Sequence, residues 1–414
     1  VSAIWRTGVG SIRNQSNPTL YGWEMDTSGI DWQTGGGLWV NGGTFRIRTE
    51  AKDSAYPGNV SLLSGNREKG GDYSSLPYVD IVFDSRPPVS RITNVLDGAH
   101  KNSLGTIAGT ASDTDSAVSY TPVVLAVKLN ICDVTDPGSI KTYNGDPSPA
   151  NWAIGDQAGD AAYWYPALFT GYPPASSSGT WTFNAPGWAD SGKYRIVAKA
   201  YDKAGNVELS LSTVTFIYDV SPPMSDVIVP DGVPGNDSYY NYHFQTTSGT
   251  VSDTVRNIVT GANLKILKYP NPDLGEVTTG YWYGAGEKWN MDDAEANSSL
   301  WPAVSASNAG SFNSNFAAWY WNTPQTGLAV ADFWVPAHRY EIVSRAKDKA
   351  GNLQMVYSTA SYVYDLDAPT ATLTYPQTGG FVSKFGKVEG TAVDSYPGKP
   401  GNVYVRISKA GPLY

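Results

Sequence analysis

Residues 193–207, KYRIVAKAYDKAGNV, decide how this chain folds. Tyr194, Ile196, Ala198 and Ala200 fall on one side of the alternation, and Arg195, Val197 and Lys199 on the other. A period of two lays one face of a β-strand on a core. Lys203-Ala204-Gly205-Asn206 is a turn signal. Beyond it, residues 214–218 are β-branched and aromatic, as a returning strand prefers. The stretch therefore reads as a β-hairpin.

Working outward, the same stretch occurs three times. Its other versions are TFRIRTEAKDSAYPGNV (44–60) and RYEIVSRAKDKAGNL (339–353). A second phrase follows each: YVDIVFDSRPP (78–88), VTFIYDVSPP (214–223) and SYVYDLDAP (361–369). A third recurs as GTIAGTASD, TTSGTVSD and KVEGTAVD, with its Gly-Thr pair at positions 109, 249 and 390, 140 and 141 residues apart. Repetition at a fixed period is the signature of an array. Pro87-Pro88, Pro222-Pro223 and Pro369 mark the boundaries, because proline fixes φ and donates no ladder hydrogen bond. They divide the chain into complete units at 88–222 and 223–368, the back of a unit at 1–87 and the front of one at 369–414, ending in a strand over 403–408. Two explanations fit the ends. Either the chain is a window on a longer array, or the front of one molecule completes the back of the next. Both imply a fibre longer than this chain.

Composition agrees. At 414 residues the chain is sized for roughly two to four domains. Charged residues are only 16%, while Gly, Pro, Ser, Thr, Asn, Tyr and Trp abound, which suits short strands and many turns. Aromatic residues at 13% argue against disorder. A net charge of -9 provides no basic face for nucleic acid or for an anionic membrane. No apolar run approaches the roughly 20 residues of a membrane helix. Val1 opens the chain without a signal peptide, as in a processed or partial chain. Cys132 is the single cysteine and reads as a small buried hydrophobe.

On these three phrases the chain resembles the bacterial Ig-like (Big-type) tandem repeats of large secreted surface proteins and adhesins. Those repeats carry a strand ending in A-x-D-x-A-G-N, a strand ending in Asp, and a proline linker with a G-T-A-x-D phrase beyond it. The resemblance spans essentially the whole chain. It implies an all-β fold of tandem immunoglobulin-like β-sandwiches, here with long aromatic-rich inserts at about 133–179 and 268–338. Asp190-Ser191-Gly192-Lys193-Tyr194 is similar to the D-x-G-x-Y phrase of Ig domains, whose tyrosine hydroxyl bonds back to the backbone. The matching positions are Tyr194 and Tyr340, whereas Phe45 has no hydroxyl to offer.

Signals for chemistry are sparse. His100, His243 and His338 lie far apart without HExxH spacing, and there is no GxSxG, P-loop or GxGxxG in context. The expectation is a chain that is not an enzyme and needs no organic cofactor. Calcium is the open alternative. Asp113, Asp115 and the linker carboxylates Asp219 and Asp365 offer oxygen ligands between units, while turn capping explains Asp202 and Asp348 more simply. On that simpler reading, chelation leaves most of the stability intact. Trp152, Trp164, Trp289 and Trp301 lie in the inserts and read as core, as self-assembly contacts or as glycan-stacking residues. Trp181 and Trp321 read as core. The Asn-x-Ser triplets at Asn14, Asn59, Asn236 and Asn297 are weak signals for glycosylation.

The expected function is structural and extracellular: a rod of Ig-like units in a prokaryotic filament, stalk or surface layer, with copies of itself as partners. A second reading is an adhesin region gripping a glycan through its Trp/Tyr loops. A third is a spacer beside a catalytic domain.

Overall fold

The computed structural model describes residues 9–11, 22–24, 41–49, 77–114, 122–171, 177–254, 256–283, 288–290, 301, 303–306, 312–323 and 333–409. The hairpin read from residues 193–207 is present in each unit. It joins β1 (Thr44–Arg48) to β2 (Tyr78–Val82), β8 (Gly192–Asp202) to β9 (Ser212–Tyr218), and β15 (His338–Asp348) to β16 (Ser358–Tyr364), all antiparallel. Alternation sets the faces as the period requires: Tyr194, Ile196, Ala198 and Ala200 point into one core, and Tyr340, Ile342, Ser344 and Ala346 take the same places in the next.

In the second unit, β3 (Val89–Ile92), β5 (Thr106–Ser112), β7 (Ser178–Asn184) and a short strand at Leu168–Gly171 form one sheet. Facing it, β6 (Val124–Asp133), β8 and β9 form the other, with β4 (Ala99–Lys101) parallel to β9 at its edge. The third unit repeats this. One sheet holds β10 (Met224–Val229), β12 (Thr246–Ser252), β14 (Phe316–Asn322) and Ser305–Ala306. The other holds β11 (Ser238–Tyr240), β16, β15 and β13 (Val259–Lys268). Four strands in the order A-B-E-D against C-F-G is the immunoglobulin arrangement. The fold is all-β, a tandem array of immunoglobulin-like sandwiches.

Each core closes around a tryptophan from the E position. Trp181 of β7 lies opposite Gly109 of β5, and Trp319 of β14 opposite Gly249 of β12. A Cβ at either glycine would collide with the indole and with a neighbouring strand's carbonyl, Arg91 O or Asp226 O. That is why the Gly-Thr phrase recurs. Each tyrosine corner is closed by a backbone bond: Ala189 N–H donates to Tyr194 Oη (2.7 Å), and Val335 N–H to Tyr340 Oη (2.7 Å). Residues Ser191 and Ala337, three before each tyrosine, both take a positive φ of 58°.

The inserts fold onto their own units, extending the sheets with short strands and sending Trp152 and Trp282 into the cores. Strands at Lys141–Thr142 and Tyr165–Pro166 pair with β6, and Gly280–Tyr283 with β13. In the front piece, β17 (Thr370–Tyr375) pairs with β18 (Glu389–Val393). The strand expected over 403–408 is not formed, and Val403, Tyr404, Val405 and Ile407 are exposed. In the complete units the matching strand, β6 or β13, pairs with β8 or β15. No described segment takes that place beside 403–408.

Candidate functional site: the joints between units

The joint begins with the turn after β8. Asp202 Oδ1 accepts from Asn206 N (2.7 Å) and Oδ2 from Asn206 Nδ2 (2.7 Å), with Gly205 at φ 97° allowing the tight reversal. The turn after β15 is built the same way. Asp348 Oδ1 accepts from Gly351 N (2.6 Å) and Asn352 N (2.7 Å), and Oδ2 from Asn352 Nδ2 (2.7 Å). Both aspartates are turn caps. The asparagine side chain then reaches out of its own unit. Asn206 Nδ2 donates to Asp84 O of the preceding linker (3.1 Å), and Asn352 Nδ2 to Asp219 O (2.9 Å). The D-x-A-G-N phrase thus both closes a turn and holds the previous unit.

Between the second and third units further bonds cross the joint. Asn102 Nδ2 donates to Asn352 Oδ1 (3.2 Å), Arg256 Nη2 to Thr135 O (3.1 Å), and Asn257 Nδ2 to Asp219 Oδ1 (2.6 Å). Ser191 Oγ lies 3.1 Å from Thr254 Oγ1.

These contacts gather carboxylates. Asp84, Asp113 and Asp202 meet at one joint, and Asp219, Asp253 and Asp348 at the next, one oxygen of each within 4.8 Å of the others. Both triads have the same origin: the linker, the residue just after β5 or β12 of the new unit, and its hairpin turn. Two unit charges 4.8 Å apart repel by roughly 3 to 4 kcal/mol at an effective dielectric near 20. Burial first, then Asp348 and Asp253, push the Asp219 carboxyl up to about 7. Asp253 is raised too, chiefly by burial. Among the described residues no ion pair reaches the second triad. The third joint brings Asp365 and Asp394 together around Gly398, where the third unit carries Asn257.

Of the other candidate residues, Asp115 lies outside the described residues. Trp152, Trp164 and Trp301 are 3%, 7% and 3% exposed and are used within their own units. The Trp152 indole donates to Asp146 O (3.0 Å) and packs edge-on to Tyr143 and Tyr194. Trp164 lies under Lys199 (3.7 Å) and Trp301 under Arg345 (4.1 Å), each on the outer face of its sheet. Of the readings the sequence offers for these three, burial favours core. Trp152 joins the interior core of its sandwich, while Trp164 and Trp301 are folded back against β8 and β15. Trp289 sits in the short strand Lys288–Asn290, and its side chain lies outside the described residues.

No protein-family model and no curated protein sequence matches this chain. Solved structures with a similar fold include fibronectin(III)-like modules of CbhA from Clostridium thermocellum (12% identity, 67% of this chain and 95% of that one, TM-score 0.29). A 1.5-MDa bacterial ice-binding adhesin is similar at 15% identity, over 70% of each chain, with a TM-score of 0.24. A tetra-tandem repeat from the extending region of a large adhesion protein is similar at 13% identity, over 71% of this chain and 53% of that one, with a TM-score of 0.24. Likeness at this level carries no argument about function.

Proposed function

We propose that this chain is a structural, non-enzymatic stretch of a prokaryotic extracellular stalk, filament or surface layer, in which Ig-like sandwiches act as passive spacers. The observation that carries the reading is the joint. One set of residues from the repeated phrases ties each linker to the next unit at two successive boundaries. Side-chain bonds of this kind restrict bending where a bare linker would not, and proline at each boundary stiffens it further. Among the described residues, no helix is long and apolar enough to cross a membrane. Small-angle scattering of the full chain tests the reading. An extended particle with a narrow, rod-like cross-section is expected. A profile of freely jointed or collapsed units would overturn it.

Three of the four tryptophans named for the adhesin reading, Trp152, Trp164 and Trp301, are buried within their own units, which favours the structural reading over it. Glycan-array binding abolished by Trp152→Ala at preserved fold would restore it.

A further inference from the structure

We propose that the buried cluster of Asp219, Asp253 and Asp348 is a site for a calcium-class divalent cation shared between two units, with a counterpart at Asp84, Asp113 and Asp202. Turn capping accounts for Asp348, whose oxygens accept from Gly351 N, Asn352 N and Asn352 Nδ2. It does not account for the other two. Asp219 Oδ1 accepts from Asn257 Nδ2, and Asp253 Oδ1 from Thr254 N, but Oδ2 of both is buried with no hydrogen-bond partner among the described residues. Asp219 is 0% exposed.

A separate group points to the same place. Asn257 is 1% exposed, and its amide oxygen Oδ1 is also buried without a donor. Its Nδ2 is fixed by Asp219 Oδ1 and by Thr254 Oγ1 (2.6 Å each), so the oxygen is held beside the carboxylates. Buried oxygens normally find a donor. Several orphaned oxygens converging with three acids call for a cation instead. The ligands are all oxygen, with neither imidazole nor thiolate, which excludes the preferences of zinc and copper. Three carboxylates and an amide oxygen suit calcium, which takes six to eight oxygens in flexible geometry, better than magnesium, which keeps its waters.

The cation would bind one carboxylate from the linker and two from the next unit, so its site exists only when the joint is closed. At the third joint, Gly398 replaces the Asn257 amide and the described ligands are fewer. The inference concerns the joints alone and stands whether or not the stalk reading does.

Calcium chloride titrated by calorimetry into the chelator-treated full chain tests it. Saturable binding is expected, with one ion per chain lost in Asp253→Asn and in Asp219→Asn. Thermal unfolding supplies a second arm with a change of sign. Without calcium the Asn variants melt at or above the wild type, because a repulsive charge is gone. With calcium the wild type melts higher than they do. Asn257→Ala keeps all three acids and lowers affinity more than about tenfold. Should the Asp variants fail to fold, the wild type in calcium against EDTA decides alone. No heat and no melting shift at millimolar calcium would overturn the proposal, as would full ion stoichiometry in Asp253→Asn.

Discussion

At Gly109 and Gly249 a single hydrogen atom decides whether a sandwich closes. A methyl group there meets a rigid strand carbonyl and the six-membered ring of Trp181 or Trp319, neither of which has room to move. Overpacking of this kind costs about 1–3 kcal/mol. Gly109→Ala and Gly249→Ala are each expected to lower unit stability by that much in urea unfolding. Removing the indole through Trp181→Ala costs about 3–5 kcal/mol. The tyrosine corners are smaller terms. Tyr194→Phe is expected to cost about 0.5–1.5 kcal/mol. Tyr340→Phe falls at the upper end, because Tyr340 Oη also donates to Val335 O (3.0 Å). Equal midpoints for both variants and the wild type would show that water replaces the bond. The glycine and tyrosine were legible because they recur in fixed phrases. The tryptophan opposite was legible as core at Trp181 but not at Trp319, where Trp321 was read instead: it lies 72 residues beyond Gly109 but 70 beyond Gly249, across inserts that share no pattern.

The elements the alternation picked out, the hairpins β8–β9 and β15–β16, formed as read, because one face of each is mainly apolar, broken in β15 by Ser344, which bonds to Ser225. What anchors the first strand to them was not visible. Glu208, buried after the hairpin turn, accepts from Ser90 N (2.8 Å), Ser90 Oγ (2.6 Å) and Ala200 N (2.9 Å). In the third unit Gln354 takes the same place, accepting from Ser225 N (2.8 Å) and Ala346 N (3.0 Å) and donating to Ser225 O (3.2 Å) and Val356 O (2.8 Å). A buried Glu and a buried Gln read from sequence as exposed polar residues, since only the fold supplies their donors. The two solutions predict an asymmetry. Glu208→Gln can adopt the pattern of the third unit and is expected to cost under about 1 kcal/mol. Glu208→Ala strands two buried N–H groups, each worth about 1–3 kcal/mol, and loosens β3. Hydrogen exchange at Ser90 and Ala200 reads this directly. Protection surviving in Glu208→Ala would mean that the carboxylate is dispensable. The inserts were legible only as aromatic-rich. Which face they cover depends on contacts with β6 and β13 that no local pattern encodes.

For the whole molecule, the question is whether the units behave as one body or as beads. Sequence repetition located the linkers and the D-x-A-G-N turns, but it could not bring an acid near residue 84 or 219 together with one at 202 or 348. That depends on how the sandwiches stack. The structure places that coupling in very few atoms. Asn352 Nδ2 is bonded at once to the linker carbonyl of Asp219 and to Asp348, and Asn352 is not part of the apolar core cluster of its unit. Asn352→Ala should therefore separate joint from core. Its cost to unit stability is limited to about 1–3 kcal/mol, the loss of the side-chain bonds to Asp219 O, Asp348 Oδ2 and Asn102 at a part-buried site. Its effect on the inter-unit angle should be large, since the linker carbonyl is released and Asp348 Oδ2 loses its partner. Spin labels at Ile154→Cys and Val277→Cys, exposed positions in the second and third units, report that angle as a distance distribution. A broad distribution is expected in Asn352→Ala. An unbroadened one is expected in Tyr340→Phe, which weakens the third unit's core by a similar amount but leaves the joint intact. If both variants broaden the distribution alike, stiffness comes from unit stability rather than from the joint. If neither does, the proline linker alone sets the angle.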